Sequence, residues 1–324
     1  MIKVREKDDP LNAVYESVEY KKTCREEVLR FPLILDIEIT SRCNLDCIMC
    51  ARQIKSPRKM GDMSDELFFK IADQAAGYGA RLIRFSGYGE ALLHKSFTRY
   101  LKYAKKKGLL THLTTNGHLL NEKICAEIIC APLDKIKFSF QGTDEKEYNR
   151  MRNTKSYKNL AANIFMLKKI RRELGGRLPV IQVATTVLDE TAKEIKAFYD
   201  RWRGVADNIY HLPTVIGRLG ETPFGRKERA RSGAQVLDSM CMEVRTKMSV
   251  WNDGTVSGCC GDHFHQLFLG DIKKKTLMEI WNGAPAKAAR RLLREKTPAQ
   301  FNEEEKKKYP LCAECQAMYI ERPS

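Results

Sequence analysis

The stretch LILDIEITSRCNLDCIMC, residues 33–50, joins an aliphatic run directly to three closely spaced cysteines. The run over 34–40 predicts a β-strand. Cys43, Cys47 and Cys50 follow it and lie within one span of eight residues. In α/β folds the carboxyl ends of the strands gather the chemistry, so this position indicates a functional site.

Further strands and helices alternate along the chain after this stretch. Ser, Thr or Asn, which cap helix N-termini well, stand at the predicted helix starts. The alternation predicts βα units and a parallel sheet, either curled as a partial barrel or left open. The strand candidates are 81–87, 109–117, 135–142, 180–187 and 208–216, and the helix starts are Ser64, Ser96, Asn121, Ser156 and Thr191.

The pattern breaks at the Gly- and Arg-rich segment 218–235, which predicts a loop or linker. After it, MSVWNDGTVSGCC (248–260) predicts a β-hairpin about Asp-Gly, and 276–296 predicts a helical region. We expect four regions: an N-terminal extension 1–32, a βα region 33–216, a basic linker 217–240 and a C-terminal domain 241–324.

The composition excludes several classes of protein. No apolar run reaches the ~18 residues of a membrane span, and the N-terminus MIKVREKDDP lacks the apolar core of a signal peptide. We therefore expect a cytoplasmic protein with no membrane partner. In a reducing cytosol the 11 cysteines are better explained as ligands or catalysts than as disulfides.

The first cysteine cluster does not resemble a zinc site. Zinc sites usually complete four ligands from paired CxxC motifs, and neither a fourth cysteine nor a histidine lies near this cluster. Three thiolates can instead hold a [4Fe–4S] cluster with one iron left open for a substrate or cofactor. The alternative is three unrelated cysteines in a loop.

The motif CxxxCxxC after the first strand of a βα-repeat chain resembles the radical S-adenosylmethionine (SAM) superfamily over residues 33–216. SGYGEALLH (86–94) is similar to the family's Gly-Gly-Glu element, and TTNG (114–117) to another element near its SAM pocket. Met49 stands where the family often has an aromatic residue. The positions that the resemblance assigns to SAM binding are Met49, Gly87, Gly89, Glu90, Asn116, Ser139 and Arg152.

The resemblance implies a fold, cofactors and a reaction. The fold is a partial (β/α)6 TIM-like barrel, and the three cysteines hold a SAM-binding [4Fe–4S] cluster. One electron from this cluster cleaves SAM to a 5′-deoxyadenosyl radical, which abstracts hydrogen from an unactivated C–H bond. The cofactors supply this chemistry, and the barrel positions the substrate.

The second cysteine group resembles the start of the SPASM pattern, in its shortened form called twitch. Twelve residues separate Cys241 from Gly254, four more precede Cys259, and Cys312-x2-Cys315 follows. The resemblance implies a small iron–sulfur domain whose four cysteines hold a second, auxiliary [4Fe–4S] cluster. Zinc with the same ligands is the alternative.

Cys260 lies beside one of these ligands and has three interpretations. It could donate a hydrogen atom to a substrate radical, as a cysteine does in radical epimerases that resemble this group. It could instead be a packing thiol, or replace Cys259 as a ligand. Cys125 and Cys130 lie in a helical pattern that predicts buried core thiols.

Several other side chains could act as a base, and the sequence does not choose among them. These are His94, His118, His211, His263, His265, Tyr88, Tyr210 and Glu221.

The main functional hypothesis is a radical SAM oxidoreductase or epimerase. Its predicted substrate is a polar small molecule, such as a sugar, an aminocyclitol or a nucleotide-linked compound. One alternative is radical modification of a ribosomally made peptide. Peptide-modifying SPASM enzymes often carry an N-terminal peptide-binding domain, for which a cluster that begins at Cys43 leaves no room.

The net charge of +16 suggests anionic partners. Nucleic-acid modification is the second alternative, but we find no appended RNA-binding fold and no aromatic residues interleaved with basic clusters. The segment 225–231 is expected to contact an anionic substrate through Arg226, Arg229 and Arg231. An acidic electron donor such as flavodoxin or ferredoxin would also use this charge.

Overall fold

The computed structural model describes residues 9–25, 28–214, 224, 227, 239–313, 315 and 320–321. The predicted contacts of Arg226, Arg229 and Arg231 and the candidate base Glu221 lie outside these residues. None of the helices within the described ranges is long and apolar enough to cross a membrane.

Six parallel strands form the main sheet, in chain order, and confirm the predicted α/β class. Each of the six predicted strands is present, five with somewhat shorter bounds and the strand 180–187 with the same ones. The strands are β1 (Ile34–Ile37), β2 (Leu82–Phe85), β3 (Leu110–Thr115), β4 (Lys135–Gln141), β5 (Val180–Val187) and β6 (Asn208–Pro213). Their register runs from Ile34 opposite Leu82 on the first pair to Val187 opposite Pro213 on the last.

Helices cover the outer face of this sheet. All five predicted helices begin one residue after the predicted start, and α6 was not predicted. The helices of this region are α1 (Asn12–Tyr15), α2 (Val18–Arg25), α3 (Asp65–Gly77), α4 (Phe97–Lys106), α5 (Glu122–Cys130), α6 (Glu145–Arg152), α7 (Tyr157–Glu173) and α8 (Ala192–Trp202).

Capping and amphipathic spacing explain these helices. The side chains of Ser64, Asn121 and Thr191 each accept a hydrogen bond from the third backbone N–H of their helix. In α4 the buried residues are Phe97, Tyr100, Leu101 and Ala104, the spacing of one helical face. The prediction of a buried thiol is confirmed for Cys125 and wrong for Cys130, which is exposed because it falls on the outer face of the last turn of α5.

The N-terminal segment closes one end of the barrel. Leu11 and Val14 pack against Leu33, Ile34 and Leu82, at the amino ends of β1 and β2. The functional site can therefore lie only at the opposite end of the barrel, at the carboxyl ends of the strands.

The C-terminal region contains short elements. They are β7 (Ser239–Met240), α9 (Glu243–Thr246), β8 (Lys247–Val250), β9 (Thr255–Ser257), β10 (Phe268–Asp271), α10 (Leu277–Trp281), α11 (Ala284–Glu295), α12 (Glu303–Lys308), α13 (Pro310–Ala313) and β11 (Ile320–Glu321). The hairpin of β8 and β9 is confirmed about Asp253-Gly254, where Gly254 has φ of +88°. This left-handed conformation favours glycine.

The hairpin joins the main sheet, which the sequence did not predict. β8 pairs in parallel with β1, from Ile34 opposite Lys247 to Ile37 opposite Val250. The sheet order of the described strands is β10-β9-β8-β1-β2-β3-β4-β5-β6. β8 thus covers the backbone groups that β1 would otherwise leave unpaired at a sheet edge.

Candidate active site

One cavity of about 350 Å³ lies at the carboxyl ends of the first four strands. It brings together the first cysteine motif, all seven positions assigned to SAM binding, and one cysteine from the C-terminal region. These lining residues are Cys43, Cys47, Cys50, Met49, Gly87, Gly89, Glu90, Asn116, Ser139, Arg152 and Cys260.

The three cysteines occupy the loop that follows β1 and receive N–H groups from two neighbours. Asn116 Nδ2 lies 3.8 Å from Cys43 Sγ, and Arg152 Nη1 lies 3.8 Å from Cys47 Sγ. Burial raises the pKa of Cys43, and raises that of Cys50 to about 11. These raised pKa values mean that the thiols are protonated when no metal is bound. A bound metal cluster would reverse this, because thiols that coordinate a metal are deprotonated.

The glycines of the second motif allow two chain segments to approach closely. A Cβ atom on Gly89 would lie 1.8 Å from the carbonyl oxygen of Thr40, and one on Gly87 would lie 2.6 Å from Glu38 Cβ. Only glycine fits at such contacts. The loop is therefore held directly against the end of β1, beside the cysteines.

Glu90 ties this loop to the end of β3. Its buried carboxylate accepts hydrogen bonds from Asn116 N (2.7 Å), Thr115 Oγ1 (2.8 Å) and Leu92 N (3.3 Å). Burial raises the Glu90 pKa, and the bonds from Asn116 and Thr115 act against that rise.

The cavity fits an iron–sulfur cluster together with SAM. The first cysteine motif offers three thiols there, and no histidine is among the described lining residues. This set matches iron–sulfur better than zinc. Arg152 Nη2 donates to Ser139 O at 2.7 Å, whereas its Nε is buried and has no hydrogen-bond partner within the described ranges. Such an orphaned donor beside a cavity indicates a polar ligand.

Three cysteines of the second group, Cys241, Cys259 and Cys312, meet in one apolar cluster. Cys259 and Cys312 are buried in an apolar cluster with Val244 and Leu293, and Cys241 packs against it. The Cys315 backbone N–H donates to Cys312 O at 3.1 Å, which places its buried side chain one turn along. The Gly261 N–H lies 3.3 Å from Cys259 Sγ. With Cys315 three residues after Cys312, this group offers four thiols, the number that a closed iron–sulfur cluster needs.

Cys260 lies between the two cysteine groups. Its thiol donates to Glu243 Oε2 at 3.5 Å, and Glu243 also forms an ion pair with Lys247. Among the described residues, Glu243, Cys259 and Cys260 have ligand atoms within 4.8 Å of one another. Ligation by Cys260 therefore remains an alternative.

A buried network joins the glycine loop to the segment that contains Cys260. Arg58 Nη1 pairs with Glu38 Oε1 at 2.7 Å, and these side chains are 0% and 1% exposed. The Arg58 guanidinium lies 4.1 Å from the ring centre of Trp251. Glu38 Oε2 accepts from Tyr88 N (2.6 Å), and Tyr88 OH donates to Gly261 O (2.8 Å).

His263 belongs to the same network. Its carbonyl oxygen accepts from Arg58 Nε at 3.3 Å, and its Nδ1 lies 3.2 Å from Arg58 Nη2. Burial, and then the positive charge of Arg58, lower the His263 pKa to about 4. His263 is therefore neutral at pH 7 and fixes the loop rather than titrating.

Substituting Arg58→Met should strongly destabilise the fold. Removing one member of a buried ion pair leaves the Glu38 carboxylate uncompensated, which costs roughly 3–5 kcal/mol. Urea unfolding of the apoprotein measures the change. The matched control is Arg42→Met, which breaks the exposed pair with Asp62 and should cost at most about 1 kcal/mol. Equal losses in the two variants would contradict a structural role for the network.

A second cavity, of about 520 Å³, lies deeper in the barrel. Arg84, His112 and Lys137 line it, whereas the residues two positions later on the same strands (86, 114 and 139) line the first cavity. Side chains two apart share a face of a strand. The two cavities are therefore stacked along the barrel axis.

Lys137 differs from the other cations of this second cavity in its lack of an ion-pair partner among the described residues. The other two lysine or arginine side chains that line this cavity, Arg84 and Lys135, form ion pairs with Asp36 and Asp9 respectively. Within the described part of the chain, no carboxylate forms an ion pair with Lys137. Burial, and then repulsion from Arg84, lower its pKa to about 8.

The variant Lys137→Met should be more stable than the native chain at pH 7. The unfolded lysine takes up its proton near pH 10.5 and the folded one only near pH 8, so the penalty is absent above pH 10.5 and complete below pH 8. The gain from methionine should be on the order of 2–3 kcal/mol at pH 7 and about 1 kcal/mol at pH 10. Urea unfolding at both pH values measures it. The exposed Lys102→Met should change neither, and a methionine variant less stable at pH 7 would show that Lys137 is well solvated or paired.

The candidate bases are dispersed in the structure. Tyr88 lines the first cavity, and Tyr210 and His211 line the second. The remaining candidates hydrogen-bond elsewhere: His94 to Met63 O, His118 to Tyr148 OH, His263 to Arg58 and His265 to Thr255 Oγ1.

Sequence reasoning missed Glu38, Arg58, Lys137 and Glu243. Glu38 and Lys137 alternate with apolar residues on predicted strands, a pattern that also occurs on solvent-facing strands. Arg58 and Glu243 lie in segments without any motif.

Comparisons with known proteins agree with this geometry. The family model of the radical SAM superfamily matches residues 37–201, and that of an iron–sulfur cluster-binding domain, SPASM, matches residues 241–316. The chain belongs to the radical SAM superfamily. It is a radical SAM enzyme that uses SAM and a [4Fe–4S] cluster and carries an auxiliary cluster, as predicted. The predicted TIM-like barrel with a C-terminal iron–sulfur region is also confirmed.

The proteins similar to this radical SAM enzyme include two curated relatives and one solved structure. The tungsten-containing aldehyde ferredoxin oxidoreductase cofactor-modifying protein of Pyrococcus furiosus is 33% identical over 167 residues, which are 50% of this chain and 45% of the relative. The PqqA peptide cyclase of Granulibacter bethesdensis is 26% identical over 282 residues, covering 79% of this chain and 75% of the relative. Streptococcus suis SuiB bound to its precursor peptide SuiA matches with a TM-score of 0.64 at 15% identity, over 94% of this chain and 73% of SuiB.

These relatives overturn the predicted substrate class. The relative that matches along most of this radical SAM enzyme is named for acting on a peptide, and SuiB was solved with a peptide bound. The prediction of a polar small-molecule substrate is therefore wrong. The argument against a peptide, from the position of Cys43, fails with it.

Proposed function

We propose that this enzyme modifies a residue of a peptide by radical chemistry, and that Cys260 returns a hydrogen atom to the modified residue. The observation that carries the proposal is the position of Cys260 in the same cavity as the first cysteine motif and the glycine loop. The peptide substrates named for the relatives support the substrate class.

The cofactor ligands in this proposal follow the cysteine groups. Cys43, Cys47 and Cys50 hold the SAM-binding cluster, and Cys241, Cys259, Cys312 and Cys315 hold the auxiliary one. Seven other residues of the first cavity contact SAM in this proposal: Met49, Gly87, Gly89, Glu90, Asn116, Ser139 and Arg152. The barrel region 33–216 and the C-terminal region 241–324 each supply one cluster site.

When bound at these residues, the cofactors would supply a 5′-deoxyadenosyl radical able to take a hydrogen atom from the peptide. Cys260 then transfers the hydrogen of its thiol to the substrate carbon. Delivery from the face opposite to removal gives an inverted centre, which makes the reaction an epimerisation. Glu243 positions the Cys260 thiol through its hydrogen bond.

Regenerating the Cys260 thiol after each turnover requires a reductant. Hydrogen transfer leaves Cys260 one electron and one proton short of a thiol. A one-electron donor of low potential returns the electron, and a proton comes from solvent through the half-buried Cys260–Glu243 contact. An acidic donor protein is the partner that the +16 charge of the chain favours.

The experiment that tests this function uses the reconstituted enzyme with SAM, dithionite and a library of synthetic peptides in D2O. We expect 5′-deoxyadenosine together with a peptide one mass unit heavier, because the exchangeable thiol of Cys260 carries deuterium. A peptide two mass units lighter would indicate a cross-link instead. Turnover of polar small molecules with no change in any peptide would overturn the proposal.

A further inference from the structure

A pocket of about 490 Å³ lies on the C-terminal region, apart from both barrel cavities. It is surrounded by residues 28–30, α9, Asn282 at the end of α10, and α11. Its described lining residues include six cations and no carboxylate. The cations are Arg30, Arg245, Lys287, Arg290, Arg291 and Arg294.

Four of these cations form one stripe along α11. Lys287, Arg290, Arg291 and Arg294 follow the spacing i, i+3, i+4, i+7, which places them on one helix face. Lys287, Arg291 and Arg294 are exposed, and the contact of Arg294 with Glu295 at 3.4 Å is an exposed one. On the opposite face, Ala289 and Leu293 pack against the second cysteine group.

Arg290 is buried at the base of the pocket, with 7% of its surface exposed. Its Nη2 donates to Trp281 O at 2.6 Å, and its guanidinium lies 4.3 Å from the Trp281 ring centre. Its Nη1 has no hydrogen-bond partner within the ranges that the structure describes. Burial lowers the Arg290 pKa to about 10. A buried cation with an unused donor is costly unless an anion approaches it.

The facing wall is held in place by backbone contacts. Trp281 Nε1 donates to Leu29 O at 2.9 Å, and Asn282 Nδ2 donates to Arg30 O at 3.0 Å. These bonds leave the exposed side chains of Val28 and Arg30 along the rim. The pocket therefore offers an apolar contact beside its charges.

We propose that this pocket binds an acidic segment of the peptide substrate in extended conformation, with carboxylates on alternate residues. Residues four apart on α11, such as 287 and 291 or 290 and 294, are separated by about 6 Å along the helix axis. Alternate side chains of an extended chain are about 6.6 Å apart and point the same way. Charges spread over two helical turns fit several carboxylates better than one compact anion.

This inference rests on the proposed function, because it takes the peptide to be the substrate. The segment bound here is a different part of the peptide from the residue that is modified. The pocket and the first cavity share no described lining residue. The pocket would select the peptide, and the barrel would perform the chemistry.

Fluorescence anisotropy of the reconstituted enzyme with a labelled peptide of alternating Glu and Val tests the inference. We expect the triple variant Lys287→Gln, Arg291→Gln, Arg294→Gln to weaken binding about tenfold. The matched control removes the same charge from other exposed helices, with Lys102→Gln, Lys106→Gln and Lys123→Gln, and should change affinity less than twofold. The corresponding Gln–Val peptide should bind no better than the triple variant binds the acidic one.

Equal weakening in the control variant, or equal binding of the Gln–Val peptide, would overturn the inference. Binding of flavodoxin that depends on the α11 stripe, with no binding of the acidic peptide, would also overturn it and assign the face to a donor protein. Anisotropy needs no turnover, and SAM cleavage without peptide should be unchanged in the triple variant. Failure of the inference is thus separable from failure of the proposed peptide chemistry.

Discussion

Replacing Cys43, Cys47 and Cys50 together by alanine should abolish SAM cleavage. All three thiols line the first cavity, and a cluster without thiolates is lost. Anaerobic purification should show about eight irons per native chain and about four per variant, because the auxiliary cluster remains. Iron and sulfide counting, with 5′-deoxyadenosine measured after dithionite reduction, records both effects.

The control for this prediction is Cys130→Ala, which removes one exposed thiol from α5 and should leave iron content and cleavage unchanged. Two outcomes would contradict the assignment. Full iron content in the triple variant would place no cluster on these residues, and about four irons in the native chain would remove the auxiliary cluster.

Replacing Cys260 by alanine should separate hydrogen abstraction from hydrogen return. The three cysteines of the first motif are untouched, so 5′-deoxyadenosine should still form in the presence of peptide. The solvent-derived deuterium should disappear from the peptide, and the inverted residue should fall to the level of a reaction without enzyme. Chiral amino-acid analysis and mass spectrometry of the peptide measure these two changes.

Two further variants decide between a hydrogen donor and a ligand. Cys260→Ser should behave like alanine, since an O–H bond is too strong to give up its hydrogen to a carbon radical, and iron content should stay near eight. Loss of about four irons from either variant would instead assign Cys260 to the auxiliary cluster. Glu243→Gln also breaks the buried ion pair with Lys247 and should lower stability. The folded variant should keep iron and cleavage and lose yield of inverted product, because the substitution disturbs the position of the thiol.

The sequence was sufficient to predict the strands and helices that are specified by short, contiguous residue patterns. Each strand of the barrel has a β-rich run, and Ser64, Asn121 and Thr191 cap their helices as residue types at such positions do. Gly89 and the cysteine spacing carry information of the same kind, because a close backbone approach and a metal site each restrict residue type. The first cavity could therefore be predicted almost completely.

The remaining features depend on contacts between distant segments. Lys137 alternates with apolar residues as on a solvent-facing strand, and only closure of the barrel turns that face inward. Arg58 meets Glu38 and His263 across 20 and 205 positions, and no local pattern marks either contact. The basic stripe of α11 could not be recognised from the sequence either, because helices with exposed charges are common. Only the segments packed beside α11 turn this stripe into one wall of a pocket.

Because β8 pairs with β1, the stability of the first cluster site depends on the C-terminal region that holds the second. A chain cut before β8 would expose an aliphatic strand edge next to the first cysteine motif, and such edges recruit other chains. Loss of the C-terminal region would therefore appear as aggregation rather than as a smaller active enzyme. Because one sheet carries both regions, iron loss at the auxiliary site should lower the melting temperature of the whole barrel.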